Sequence, residues 1–464
     1  MKTYDTIIIG SGGGFKLATA LGRLGKHTAL IEKDRTGGTC LNRGCIPSKM
    51  LIHPSGTRDK IRTWNKLHVQ AEWHGADFQA LTKSINDYTD GLSDQMGSGF
   101  EQHDHVDFYR GEAQFIGPKV VRVQEEDLTA ETIIIATGSR PYIPAIPGLE
   151  GTPFMTSTDA LRNRTLPPRL IVLGGGYIAA ELGGAYAGFG SHVTYLLRSA
   201  FLRREDQDIQ SHFTKHFSSG KTVYPHTRIL RVGYENDLFT VDALGPEGTS
   251  LRVEAEALLV ATGVQPNADQ LGLEHTGVKT KSEGFIAVNE YLETSVPGIY
   301  AFGDVAGNYL FRHSVNFEVE YWIEANFLSE QPFPIEYPPV PSAVFTHPEI
   351  ASVGMTEKQA CKSDKSVVIG HALYPSCAMA VARGLDEGLV KLIFDESSGK
   401  LLGAHIIGEE ASTMIQECVL ALTHGMTMHD MYKQIYIHPA FPEVVRNAVR
   451  HALRHHDRKR AVLF

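Results

Sequence analysis

Cysteine is scarce in this chain: five among 464 residues, an odd number spread unevenly. That excludes a secreted fold stapled by disulfides, and it turns the one close pair, Cys40 and Cys45, into a candidate for chemistry. Long apolar runs are missing too. No stretch approaches the ~20 residues that cross a bilayer, the longest being short strand-like runs such as Ile7–Ile9 and Ile133–Ala136. The first residues, Met1–Gly14, lack the apolar core and small-residue cleavage site of a leader peptide. Nor is there a basic surplus: 44 Lys and Arg against 53 Asp and Glu give a net charge of −9, which speaks against wrapping nucleic acid. These absences predict a cytoplasmic protein with no membrane, nucleic-acid or metal partner.

What is present is an ordinary globular composition, 42% hydrophobic and 21% charged, in a chain long enough for roughly three domains. Glycine is in surplus, with 45 residues against an average of ~7%. Much of it falls in two copies of one design. Thr6–Ile9 runs into Gly10-Ser11-Gly12-Gly13-Gly14, and Leu170–Leu173 into Gly174-Gly175-Gly176-Tyr177-Ile178-Ala179. Each reads as a strand, a glycine turn and an alanine-rich helix, with a second strand following at Thr28–Glu32 and Val193–Arg198. Such a turn lets backbone approach a pyrophosphate at a helix N-terminus, so two copies predict two dinucleotide sites.

The copies differ at their ends. Glu32 closes the first, placed for ribose hydroxyls; Arg198 closes the second, with Arg203 and Arg204 behind it and no carboxylate. Arginine suits a 2′-phosphate, which favours NADP over NAD. The first copy carries Phe15 where a third glycine is usual, so close helix–strand packing falls to Gly13 and Gly14. Two further near-repeats, Ile133–Gly138 and Leu258–Gly263, are strands turning at glycine, and Ile299–Asp304 ends in Gly303-Asp304. Proline-rich stretches at Pro141–Pro153 and Pro332–Pro341 suggest boundaries, beyond which alternating strands and then helices predict an α+β unit. The division expected is 1–153 with 268–340, then 154–267, then 341–464.

Cys40 and Cys45 lie in Gly37-Gly38-Thr39-Cys40-Leu41-Asn42-Arg43-Gly44-Cys45-Ile46-Pro47-Ser48-Lys49, a spacing that on a helix keeps two sulfurs near each other and near backbone N–H groups. This run closely resembles the redox disulfide of the class I flavoprotein pyridine nucleotide–disulfide oxidoreductases. The resemblance covers the whole chain: both glycine turns, the two Ala-Thr-Gly turns, Gly303-Asp304, Phe345–Glu349 and His438-Pro439-Ala440-Phe441-Pro442-Glu443. Among the subfamilies it is most like the mycothione reductases, through Leu202–Ile209, Leu401–Ile407 and Ile437–Val445, and it is also similar to the dihydrolipoamide dehydrogenases.

The resemblance implies an α/β fold with two Rossmann-like dinucleotide domains and a C-terminal α+β dimerisation domain. It implies FAD at Gly10, Gly12, Gly14, Glu32, Gly138, Gly303 and Asp304, and the nicotinamide dinucleotide at Gly174, Gly176, Ala179, Arg198 and Gly263. Cys45 would be the sulfur next to the flavin and Cys40 the interchange thiol; Lys49, paired with Glu181, would lie near the flavin edge. His438, oriented by Glu443, would protonate the departing thiol at the disulfide of the opposite subunit of a homodimer. The activity expected is NADPH-dependent reduction of a low-molecular-weight disulfide, with NAD-dependent oxidation of dihydrolipoamide or a lipoyl carrier as the alternative. Arg43, where relatives usually have valine, reads either as a cation that lowers the thiolate's pKa and favours an acidic disulfide or as an arginine pointing to solvent. Cys361, Cys377 and Cys418 are expected to be structural, His53 and Arg58 to stand near the mouth of the site, and the basic run Arg446–Arg460 to form a solvated C-terminal helix, with docking to an acidic partner as the alternative.

Overall fold

Short apolar runs ending in glycine become the inner strands of two parallel sheets. The computed structural model describes residues 1–363 and 365–456. In the first sheet, β1 (Lys2–Ile9) is followed by α1 (Ser11–Arg23) and β2 (Thr28–Glu32), then by α2 (Gly38–Arg43), α3 (Cys45–Ser55), β3 (Val106–Arg110), β4 (Ala113–Gly117), β5 (Val120–Val123) and β6 (Glu126–Ile135). The order is β3-β2-β1-β6-β5-β4, with the strand Ile299–Ala301 paired in parallel to β6. Ile7, Ile8 and Ile9 sit opposite Ile133, Ile134 and Ile135, and all six are buried, because helices and strand connections cover both faces. The last strand explains why residues after position 267 return to the first unit.

The second sheet is β7 (Arg169–Leu173), β8 (His192–Leu196), β9 (Thr222–Tyr224) and β10 (Ala257–Val260), ordered β9-β8-β7-β10 and all parallel, with α4 (Tyr177–Phe189) between β7 and β8. It stops at Leu196, so Arg198 lies two residues beyond the strand the sequence predicted for it. After α5 (Arg312–Ile323), the chain builds a five-stranded antiparallel sheet from β11 (Ser342–Val344), β12 (Ile350–Gly354), β13 (Val367–Leu373), β14 (Leu389–Asp395) and β15 (Leu401–Ile407). Helices α6 (Ala411–Thr423) and α7 (Pro442–His456) complete this unit. Helix α7 contains the described part of the basic run; residues 457–460 of that run lie outside the described residues.

The glycine turns bring the near-repeats together. Gly10 and Gly174 have φ of 101° and 126°, and a Cβ on them would stand 2.4 Å from the Ala136 carbonyl and 2.2 Å from the Ala261 carbonyl. Each fingerprint therefore closes against its own Ala-Thr-Gly turn, an approach only glycine permits. Gly13 and Gly14 take the tight contacts that Phe15 cannot: added Cβ atoms would meet Val315 of α5 at 2.7 Å and Ile8 of β1 at 2.6 Å. Phe15 packs edge-on against Phe100 instead.

A buried ion cluster joins the second unit to the third. Lys391 on β14 is 1% exposed and bonds to Asp206 at 2.8 Å, Asp208 at 2.6 Å and Glu357 at 2.5 Å. Burial alone would raise the Asp206 carboxyl, but Lys391 and the Glu357 amide outweigh it and lower it. Removing the cation leaves that carboxylate uncompensated. Lys391→Met should therefore lower the unfolding free energy by about 3 kcal/mol at neutral pH. Because the folded-state pKa of Asp206 is depressed, the loss shrinks as pH falls through the carboxylate range. Urea melts of both proteins at neutral and acidic pH check this.

Candidate functional site

All three units open onto one cavity of about 2750 Å³. That is well beyond the ~300–1,000 Å³ of a pocket for one small ligand, and suits two dinucleotides. Its wall includes Gly10, Gly12, Glu32, Cys40, Cys45, Lys49, Gly138, Gly303 and Asp304 from the first unit, and Gly174, Gly176, Glu181, Arg198 and Gly263 from the second. Gly14 and Ala179 are not in the wall; Gly14 is buried on Ile8, and Ala179 is fully buried in α4. Gly138, Gly176 and Gly263 have nothing within 4 Å of an added Cβ, so backbone there is open to the cavity. The Glu32 carboxylate accepts from the Ser11 amide and hydroxyl on one oxygen, but only from the Asp34 amide on the other. The second oxygen keeps a lone pair. Asp304, raised by burial, accepts from Ser139 at 2.6 Å. Two bare helix-start turns and a carboxylate in reserve fit an FAD in the first half and a pyridine nucleotide in the second.

Between the halves stand the two cysteines, and here the single helix expected from the spacing is corrected. The chain breaks at Gly44, whose φ and ψ of −141° and −117° are not helical, so Cys40 lies in α2 and Cys45 opens α3. The break is what turns the sulfurs toward each other. The Cys45 thiol donates to Cys40 and draws its pKa down to about 7, against the cost of burial, with Arg312 and Lys49 adding attraction. Cys45 is pushed up by the same bond and by burial. The pair therefore titrates as a unit, holding one proton between two sulfurs near neutrality.

Arg43 does not play the part the sequence suggested. Its guanidinium pairs with Asp34, which cancels its charge locally, and Asp34 is lowered in return. The cation that acts most on Cys40, ahead of Lys49, is Arg312, the first residue of α5, which lines the same cavity and forms no ion pair among the described residues. No sequence signal reveals it, because 272 positions separate it from Cys40. Lys49 bonds to Glu181 at 2.8 Å and stands 4.4 Å from the centre of the Phe345 ring, while the Phe345 amide donates to the other Glu181 oxygen. His53 lines the cavity and Arg58 does not.

His438 and Glu443 do not line this cavity with the cysteines. The His438 Nδ1 lies 3.0 Å from Glu443, which is buried and also accepts from Arg446 at 2.7 Å. Burial would raise the Glu443 carboxyl, but His438 and Arg446 bring it below the usual range. The imidazole is 69% exposed and is flanked by Ile435 and Ile437 at 100% and 78% exposure. Cys377, expected to be merely structural, is buried beside this dyad, its thiol donating to the Ala440 carbonyl at 3.2 Å.

If Arg312 stabilises the thiolate, Arg312→Met should move the midpoint of iodoacetamide alkylation of the reduced apoprotein from about 7 to roughly 8. Arg312→Lys should move it less. The rate of alkylation against pH is the measurement.

Comparison with known proteins agrees with this geometry. Residues 4–325 match the family model described as pyridine nucleotide-disulphide oxidoreductase, and residues 340–449 match its dimerisation domain. Dihydrolipoyl dehydrogenase of Bacillus subtilis is 34% identical over 466 residues, covering 97% of this chain and 96% of that protein. Mycothione reductase of Mycobacterium tuberculosis is also 34% identical, over 469 residues, covering 97% and 99%. In structure, the HOCl-induced flavoprotein disulfide reductase RclA from Escherichia coli superposes with a TM-score of 0.87 at 29% identity, covering 96% of this chain and 99% of that one. With two glycine-turned nucleotide halves, a dithiol between them and matches across the whole length, the chain belongs to the class I pyridine nucleotide-disulphide oxidoreductases, flavoprotein enzymes whose redox-active pair here is Cys40–Cys45.

Proposed function

We propose that this enzyme uses NADPH to reduce a low-molecular-weight thiol disulfide in the cytoplasm, as a homodimer. The observation that carries the nucleotide choice is the end of the second half-cavity. Arg198, Arg203, Arg204 and Arg228, with His226, line it, and none of the four arginines forms an ion pair among the described residues. No carboxylate follows β8, where Leu197, Arg198, Ser199 and Ala200 stand. Four uncompensated guanidinium groups suit a 2′-phosphate; a ribose diol would want an acceptor. The domain division 1–153 with 268–340, 154–267 and 341–464 goes with this reading.

FAD, held by Gly10, Gly12, Glu32, Gly138, Gly303 and Asp304, would supply the two-electron link between the nucleotide and the Cys40–Cys45 disulfide. The side chains do the rest. Lys49, its charge steadied by Glu181, sits beside the dithiol on α3 and stabilises negative charge arising there. Reduction opens the S–S bond and yields one thiolate and one thiol. The Cys40 thiolate attacks one sulfur of the substrate disulfide, the substrate S–S bond breaks, and the departing thiolate takes a proton from His438. The Cys45 sulfur then gives up its proton and attacks Cys40, closing the internal disulfide, and that proton goes to the second departing thiolate. The exposed imidazole, anchored from behind by buried Glu443 and ringed by bare isoleucines, belongs to a second copy's cavity in this scheme. A dithiol kept open by a reduced nucleotide fits a reducing compartment.

Turnover of the purified flavoprotein with NADPH and NADH, against a panel of low-molecular-weight disulfides and lipoamide in both directions, tests the reading. NADPH preference with disulfide reduction is expected; NADH preference with rapid dihydrolipoamide oxidation would replace it by the lipoamide alternative. His438→Gln should slow disulfide turnover by ~10²–10⁴-fold. Co-expression of Cys40→Ser and His438→Gln chains should restore about a quarter of wild-type activity through mixed dimers, each with one intact site. Absence of recovery would place the acid in the same chain as its disulfide.

A further inference from the structure

The two sulfurs belong to two helices, and each helix needs a hold of its own. α2, which carries Cys40, runs from a glycine turn to a glycine break: Gly37 and Gly38 have φ of 97° and 66°, and Gly44 is not helical. Flanks of this kind give the segment no direction by themselves. Its beginning is pinned by contact, since a Cβ on Gly38 would stand 2.6 Å from the Cα of Gly12. The buried Asn42 amide donates to the Arg35, Thr36 and Gly38 carbonyls at 3.3, 3.0 and 3.0 Å. Those bonds close α2 on its own loop. They leave its far end, where helical carbonyls have no partner inside the helix, to be held from outside.

Arg162 supplies that hold. Its Nη2 donates to the Asn42 carbonyl at 3.2 Å, while Nη1 and Nη2 take the two oxygens of Asp90 at 3.0 and 2.8 Å. A guanidinium suits the task, because its planar fork can grip a carboxylate with both arms and still direct an N–H at a carbonyl. Arg162 ends the short helix Ser157–Arg162, and Asp90 belongs to the long helix Phe78–Glu101. Asp90 also pairs with Arg35, in the loop before α2, at 3.1 Å. The short helix is anchored in turn, its Ala160 carbonyl accepting from the buried Tyr186 hydroxyl of α4 at 2.7 Å. α3 is tied separately, by Lys49 to Glu181 and by the Ile52 carbonyl to His347 Nε2 at 3.1 Å. The distance between the sulfurs therefore depends on one attachment per helix, and for α2 that attachment is Arg162.

We infer that Arg162 is a positioning residue for Cys40: gripped by Asp90, it fixes the end of α2 so that the Cys40 sulfur stays within hydrogen-bond reach of Cys45. It acts through the Asn42 carbonyl and spends its charge on Asp90. The contact with Cys45 is the largest influence drawing the Cys40 thiol down, and the charged groups that also face this sulfur are Arg312 and Lys49. The inference requires only the redox-active pair, so it stands whichever nucleotide and whichever disulfide the enzyme uses.

The test follows alkylation of the reduced holoenzyme by iodoacetamide against pH. It is read by mass spectrometry on the peptide that ends at Arg43, because tryptic cleavage there separates Cys40 from Cys45. Arg162→Met frees the end of α2 and should slow Cys40 alkylation roughly three- to tenfold at about pH 6, the worth of one hydrogen bond. The rate should converge on that of wild type at alkaline pH, where the thiol is ionised in both proteins. Arg162→Lys, which keeps the charge but not the fork, should fall between the two. Asp90→Asn separates position from charge. Removing a negative charge would by itself favour the thiolate and speed alkylation at about pH 6, whereas loosening Arg162 should slow it. An Arg162→Met protein that melts earlier yet alkylates with the pH dependence of wild type would overturn the proposal. So would an Asp90→Asn protein that alkylates faster than wild type at about pH 6.

Discussion

Three parts of the chain meet at one ion pair. Lys49 belongs to the helix that begins with Cys45, Glu181 to the helix that begins at the second glycine turn, and Phe345 to the entry of the third unit. Lys49 and the Phe345 amide take one Glu181 oxygen each, and the Phe345 ring lies close to the ammonium. Glu181 is 10% exposed, so this carboxylate is tolerable only because both oxygens are used. The geometry of the dithiol relative to the second nucleotide half is set by that junction, since α3 carries the cysteine at one end and the lysine one turn later. A change at Glu181 would thus be felt at the sulfurs through α3 as well as at the nucleotide.

The parts legible in the sequence are those whose function needs a particular local backbone. Gly10 and Gly174 are forced by positive φ and by carbonyls within 2.4 Å of the missing Cβ, so each leaves a glycine in a fixed place after an apolar run. The cysteine pair is legible for the same reason, although the helix break at Gly44 is not, because a single glycine inside a helical pattern reads as tolerated. What escapes is decided by side chains meeting across long separations. Arg43 invites a role beside Cys40 from its position alone, yet the loop after β2 presents Asp34 and takes the charge away. Arg312 arrives from the opposite end of the first unit, carried there by the return of the chain through Ile299–Ala301.

The distribution of charge inside the cavity differs from that of the whole chain, and the difference bears on binding. The chain carries −9, which taken alone would repel anionic dinucleotides. In the cavity wall, however, three carboxylates are met by cations, Asp34 by Arg43, Glu112 by Lys33 and Glu181 by Lys49, while Glu32, Glu283 and Asp304 form no ion pair among the described residues and are outnumbered by free arginines. The cations that stay free of ion pairs among the described residues are Arg198, Arg203, Arg204 and Arg228 at one end and Arg312 beside the dithiol. A concave wall of low dielectric focuses the field of such groups, so the cavity is locally positive although the surface is not. Each uncompensated cation is then open to an anion: on the function proposed above, the 2′-phosphate at the nucleotide end, and a thiolate at the other. The second of these exists only when the pair is reduced. Arg312 is therefore better satisfied in the dithiol form than in the disulfide form, which biases the redox equilibrium of Cys40 and Cys45 toward reduction by the same attraction that draws down the pKa of Cys40.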